Sequence, residues 1–204
     1  MGIRDIAAVL FDMDGTLVNS DAVVDRSWSR WAVEYGLPPA EVLAVAHGNP
    51  ARATVAHFLP DLTDAERAAA GARILDLELD DVSDVAPTPG ALEIVATLER
   101  LGLPWAVYTS APGQLAKIRL EAAGISPSIL ITIDDVERGK PDPEGYLRAA
   151  ELLDVQIERC LVVEDTEVGL AAGRASGATT AGLKGIAADI RLPDLHRLVQ
   201  LFTE

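Results

Sequence analysis

The stretch Ile6-Ala7-Ala8-Val9-Leu10-Phe11-Asp12-Met13-Asp14-Gly15-Thr16 decides the reading of this chain. Its first six residues are apolar without alternation, the pattern of a strand buried on both faces inside a parallel sheet. Asp12 ends the run. Two carboxylates one residue apart, at a strand end ahead of a glycine, can project into one crevice. Taken alone, Asp-x-Asp-Gly also fits a calcium-loop fragment or a polar turn. An EF-hand is ruled out, because no further oxygen ligands and no terminal Glu follow at the required spacing.

Working outward, similar apolar runs recur at Pro104–Tyr108, Ile129–Ile133, Cys160–Val163 and Ala178–Gly182. Amphipathic stretches of helical length, 112–123, 142–153 and 166–176, lie between the later runs. Strand and helix alternate, which predicts an α/β fold, a Rossmann-like parallel sheet of five strands with helices on both faces. Asp142 followed by Pro143 reads as an N-cap with Pro at the first helical position. Gly124 and Gly177 read as helix stops.

The first crossover breaks the rhythm. Gly90–Leu101 suffices as its helix, so about 70 residues are surplus, far more than a loop holds. They read as helices at Asp21–Tyr35, Pro39–Val45, Ala51–Phe58 and Asp64–Leu79, the last opened by a capping box at Thr63 and Glu66. The expected organisation is a catalytic core of residues 1–17 and 88–204, with a helical cap of 18–87 inserted after the first strand. That strand end is where open α/β sheets bind ligands, so the insert is expected to cover the site.

Composition narrows the function. The chain has 204 residues, 49% of them hydrophobic, and a net charge of −15. Such a balance opposes nucleic-acid binding and attachment to anionic membranes, but one cationic pocket can still accept a small phosphorylated ligand. A single cysteine, Cys160, excludes an intramolecular disulfide and a Cys-rich zinc site, and its apolar setting reads as a core thiol. No run approaches the length of a membrane span, and a cytoplasmic protein is expected.

Three further strand ends carry polar residues. Thr109-Ser110 precedes Pro112 at a strand-to-helix turn, where free N–H groups bind anions. Lys140 sits in the loop Gly139-Lys140-Pro141-Asp142-Pro143. Glu164-Asp165-Thr166 closes a buried strand, and Asp165 or Thr166 alone would read as an N-cap. Singly, Ser110 is a cap and Lys140 a surface residue. Together these residues present carboxylates, a hydroxyl and one cation to the same crevice. Hard oxygen ligands of this kind suit Mg²⁺ together with a substrate phosphate.

In that order, Asp12-x-Asp14-Gly-Thr, the strand ending in Thr109-Ser110, Gly-Lys140-Pro-Asp-Pro and Glu164-Asp165-Thr resemble the haloacid dehalogenase superfamily over nearly the whole chain. The chain is most similar to its phosphatases with a helical cap. Within the cap, the stretches Trp28–Trp31 and Ala46–Pro50 resemble those of bacterial sugar- and polyol-phosphate phosphatases. The resemblance implies that Asp12 is the nucleophile forming an aspartyl-phosphate and that Asp14 is the acid and base. It implies that Thr109 and Ser110 hold the phosphoryl oxygens and that Lys140 binds nucleophile and phosphate. Mg²⁺ would be held by Asp12, Asp165 and the backbone carbonyl of Asp14, with Glu164 bound through water or standing behind.

Substrate choice is expected in the cap. His47, Asn49 and Arg52 border a Gly-Asn-Pro turn and could meet the sugar, though all three also fit a solvent-facing turn. Trp28 and Trp31 share a helix face and read as cap core. His57 and His196 have no chemical neighbours. The implied activity is Mg²⁺-dependent hydrolysis of small sugar or polyol phosphates by a monomer or weak homodimer, acting on a small phosphorylated metabolite. A phosphosugar mutase is the alternative, although such mutases carry Gly-x-x-Arg in the cap and Arg52 here falls four residues after Gly48. A binding protein without turnover is a third reading, opposed by the intact acids and Lys140. A dehalogenase would lack the second aspartate, Asp14.

Overall fold

The computed structural model describes residues 3–47 and 49–204. The order of elements opens with β1 (Ala8–Phe11) and β2 (Val18–Asn19). Four helices follow: α1 (Asp21–Glu34), α2 (Pro39–Ala46), α3 (Ala51–Phe58) and α4 (Asp64–Leu79). Then come β3 (Ala86–Pro87), α5 (Ala91–Leu101), β4 (Trp105–Tyr108), α6 (Gly113–Ala122), β5 (Leu130–Ile131) and α7 (Glu144–Leu152). The chain closes with β6 (Cys160–Glu164), α8 (Glu167–Ser176), β7 (Thr179–Gly182), β8 (Ile190–Arg191) and α9 (Leu195–Thr203).

The main sheet has six strands in the order β5-β4-β1-β6-β7-β8, and every pairing in it is parallel. Every residue of β1, β4 and β6 is buried, as unalternating apolar runs require. One face carries Ala8, Leu10, Ala106, Tyr108, Cys160 and Val162, packed with Tyr146, Ala149 and Ala150 of α7 and Ala172 of α8. The alternate residues Val9, Phe11, Val107, Leu161 and Val163 are equally buried, and Phe11 meets Trp105 edge to face. β1 pairs with β4 on one side and β6 on the other, and the chain runs outward from it through β4 to β5 before crossing back to β6, so the strand order reverses beside β1. The crevice outside the carboxyl end of such a strand is the ligand position of open α/β sheets.

Three local features depart from the sequence reading. β8 adds a sixth strand, too short for a periodic signal. β2 and β3 pair antiparallel as a separate two-stranded ribbon. The cap of α7 is Pro143 rather than Asp142, because the helix begins one residue later; Asp142 instead accepts the Glu144 N–H at 3.1 Å.

The chain divides into two compact units, one of residues up to Asn19 with Ala86–Glu204, the other of Ser20–Val85. The second is wholly helical. Its core gathers Trp28, Trp31, Ala32, Val42, Val55, Ala70, Ile74 and Leu77. Trp28 and Trp31 meet edge to face at 5.2 Å, and the Trp31 indole N–H donates to the Ala70 carbonyl at 3.0 Å, tying α1 to α4. The Thr63–Glu66 capping box opens α4.

Candidate active site

Four side chains from two strand ends and one loop converge at the carboxyl edge of the main sheet. Asp12 follows β1, and its N–H donates to the Val163 carbonyl at 3.0 Å, which fixes it beside the end of β6. Glu164 ends β6 and Asp165 follows it. Lys140 reaches in from the loop ahead of α7. Its ammonium donates to Asp12 Oδ1 at 2.5 Å, to Glu164 Oε1 at 2.6 Å and to the Tyr108 carbonyl at 3.2 Å. Thr166 caps α8, its hydroxyl accepting the Gly169 N–H at 3.1 Å.

Glu164 is fully buried and is held at both oxygens. Oε1 accepts from Lys140 and from the Tyr146 hydroxyl at 2.7 Å; Oε2 accepts from the Asp165 N–H and the Thr166 hydroxyl, each at 3.2 Å. Gly169 is required here: a Cβ at that position would lie 1.8 Å from Glu164 Oε1. A carboxylate so engaged acts by holding Lys140 rather than by moving.

The electrostatics show a shortage of positive charge. Burial works to lower the Lys140 ammonium, but Asp12 and Glu164 outweigh it and hold the group above its ordinary value. Burial pushes the Asp12 carboxyl well above the usual carboxylate range; Lys140 pulls the other way, while Glu164 and Asp165 add to the rise. Burial also raises Asp165, opposed by Lys184, whose half-exposed ammonium lies 3.0 Å from Asp165 Oδ2. Three buried carboxyls around the largely buried Lys140 side chain therefore have room for another positive charge.

Asp12, Glu164 and Asp165 each present an oxygen within 4.8 Å of the others. An all-oxygen, carboxylate-rich donor set of this kind fits a hard divalent cation such as Mg²⁺.

The remaining sequence candidates are placed as follows. The Asp14 carboxylate lies 3.2 Å from the guanidinium of Arg119 on α6. Thr109 is buried at the end of β4, its hydroxyl accepting the Ala111 N–H at 3.1 Å, and Ser110 is half-buried beside it. His47, Asn49 and Arg52 are exposed residues of the helical unit. His47 Nε2 lies 2.7 Å from Asp25 Oδ1, and the Asn49 side-chain amide donates to the Val45 carbonyl at 2.8 Å. Gly48, which begins their turn, lies outside the described residues. Sequence reasoning missed Arg119, Tyr146 and Lys184. Tyr146 alone left a usable signal, a tyrosine three residues past Pro143 on a helix that must pack on the sheet.

A family model of haloacid dehalogenase-like hydrolases matches residues 6–177. The chain is 38% identical over 197 residues to hexitol phosphatase A of Escherichia coli, covering 94% of this chain and 91% of that protein. It is 35% identical over 193 residues to 2-deoxyglucose-6-phosphate phosphatase 1 of Saccharomyces cerevisiae, covering 85% and 78%. Among solved structures, CbbY of Rhodobacter sphaeroides in complex with phosphate aligns with a TM-score of 0.76 at 25% identity, covering 95% of this chain and 96% of that one.

Proposed function

The chain belongs to the haloacid dehalogenase-like hydrolases, and from that premise we propose that it is a Mg²⁺-dependent phosphatase of small sugar or polyol phosphate monoesters. The observation that carries the reading is the buried contact of Lys140 with Asp12 and Glu164, beside Asp165. Burying charges costs several kcal/mol per ion, and a crevice of this charge pattern puts that cost to use on an anionic substrate. Relatives that act on hexitol and 2-deoxyglucose phosphates support the substrate class.

In this reading the Asp12 carboxylate attacks phosphorus and the ester P–O bond breaks, leaving an aspartyl-phosphate. Asp14 gives its proton to the departing alcohol oxygen. It then takes a proton from water, which attacks the acyl phosphate and returns Asp12 as a carboxylate with release of phosphate. Thr109 and the Ser110 backbone N–H hold phosphoryl oxygens. Asp12, Asp165 and the Asp14 carbonyl would hold Mg²⁺, which when bound supplies charge to the phosphoryl oxygens and keeps Asp12 ionised. Lys140 supplies the second positive charge from the protein itself.

Magnitudes favour this division. Phosphate-monoester hydrolysis needs accelerations up to ~10²¹-fold, while a general acid contributes ~10²–10⁴-fold. Asp14 cannot carry the reaction; the larger share falls to positioning and charge around the transferring group. For substrate choice, His47, Asn49 and Arg52 of the helical unit are the proposed hydroxyl- and phosphate-contacting residues, and 18–87 the proposed cap.

The test is phosphate release across sugar, hexitol, glycerol and glycolate phosphates with added Mg²⁺ and after exhaustive chelation. Turnover of sugar or hexitol phosphates, lost on chelation and restored by Mg²⁺, is expected. Isomerisation of a hexose 1-phosphate without net phosphate release would overturn the reading in favour of a mutase.

A further inference from the structure

We propose that Tyr146 is a positioning residue that seats the Lys140 ammonium by fixing Glu164. The idea rests on the phosphatase reading for its kinetic consequence alone; the seat itself is a matter of geometry.

Tyr146 is fully buried near the start of α7, six residues after Lys140. Its hydroxyl donates at 2.7 Å to Glu164 Oε1, the same oxygen that receives the Lys140 ammonium at 2.6 Å. The hydroxyl therefore sets where that oxygen sits, and the oxygen sets where the ammonium sits relative to Asp12. The ring adds a second restraint. Lys140 Nζ lies 5.4 Å from the Tyr146 ring centroid and 4.9 Å from that of Tyr108. The two rings are 5.0 Å apart at 89°, an edge-to-face corner around the cation. Gly145 makes the corner possible, since a Cβ there would lie 2.3 Å from the Tyr108 ring. One short segment, Lys140 to Tyr146, thus supplies the cation, the ring that walls it and the hydroxyl that holds its carboxylate partner.

Phenylalanine at 146 keeps the ring and the packing and removes the hydroxyl alone. Glu164 Oε1, on a fully buried side chain, then keeps Lys140 as its single donor. A hydrogen bond to a charged group corresponds to about tenfold or more in an equilibrium.

The experiment compares wild type with Tyr146→Phe and Tyr146→Leu by two readouts. In the metal-free protein, ¹⁵N NMR of the Lys140 ammonium should show proton exchange about tenfold faster in Tyr146→Phe and faster still in Tyr146→Leu. With a hydrolysed phosphate ester, Tyr146→Phe should lower kcat about tenfold with KM within about twofold and the melting temperature within about 2 °C. A merely structural role would move KM and melting together with kcat. Wild-type exchange in Tyr146→Phe overturns the proposal, as does wild-type kcat in an active enzyme. Faster exchange in the variant of a protein that releases no phosphate overturns the phosphatase reading and upholds the seat.

Discussion

The two compact units use charge in opposite ways. In the α/β unit, Asp12, Lys140 and Glu164 are buried and in direct contact. In the helical unit the ion pairs lie at the surface, among them Arg26 with Asp81 and Asp84, and Arg73 with Glu34. Water screens such pairs, and they contribute little to stability. Burying such a cluster carries a desolvation cost of several kcal/mol per ion. A fold that tolerates this cost at one place, where strand ends meet, holds its chemistry there. The helical unit is held by an apolar core around Trp28 and Trp31 instead.

Four measurements would break or sharpen that contrast. Asp12→Asn should lower phosphate release at least about 10⁴-fold, because an amide cannot form the acyl phosphate; retained turnover removes Asp12 as the nucleophile. Trp31→Ala should cost about 3–5 kcal/mol in denaturant unfolding, since it opens a cavity in the helical core and removes the indole hydrogen bond that ties α1 to α4. A much smaller loss would mean that the surface pairs carry more than argued. Asp14→Asn should slow kcat by about 10²-fold or more at similar KM, and a change confined to KM would cancel its acid–base role.

The smallest effect lies in acid stability. The Asp189 carboxyl is held below its usual value by the backbone N–H of Thr180 and then by the Thr180 hydroxyl. The folded-state value is the lower one, so the contribution is full above the unfolded value of about 3.9. It is lost as pH falls through the folded value. Urea midpoints between pH 6 and pH 3 should fall with acid, and Asp189→Asn should flatten that slope; an unchanged slope excludes this carboxylate as a source.

Much of the fold was legible because its signals are local. The runs ending at Phe11, Tyr108 and Val163 are buried strands wherever they are placed, and Thr63 with Glu66 caps a helix within its own turn. β8 escaped because two residues, Ile190 and Arg191, show no period. Asp142 was misassigned because Asp before Pro fits a cap equally well one residue earlier. In the candidate site, Asp12, Lys140, Glu164 and Asp165 each stood at a strand end or beside a helix start, where position itself suggested chemistry. Arg119 did not: its partner Asp14 is 105 residues away, and nothing on α6 marks it. Lys184 escaped for the same reason, since it owes its place to a carboxylate on another element.

By itself, then, the sequence determined the longer strands and the helices, the acids at the strand ends and the family resemblance, since these rest on short-range period, capping and motif order. Only the tertiary structure decided which polar groups touch. Parallel registry of β1 with β6 sets Asp12 beside Glu164, and the loop ahead of α7 delivers Lys140 between them; such distances follow from packing across elements far apart in the chain.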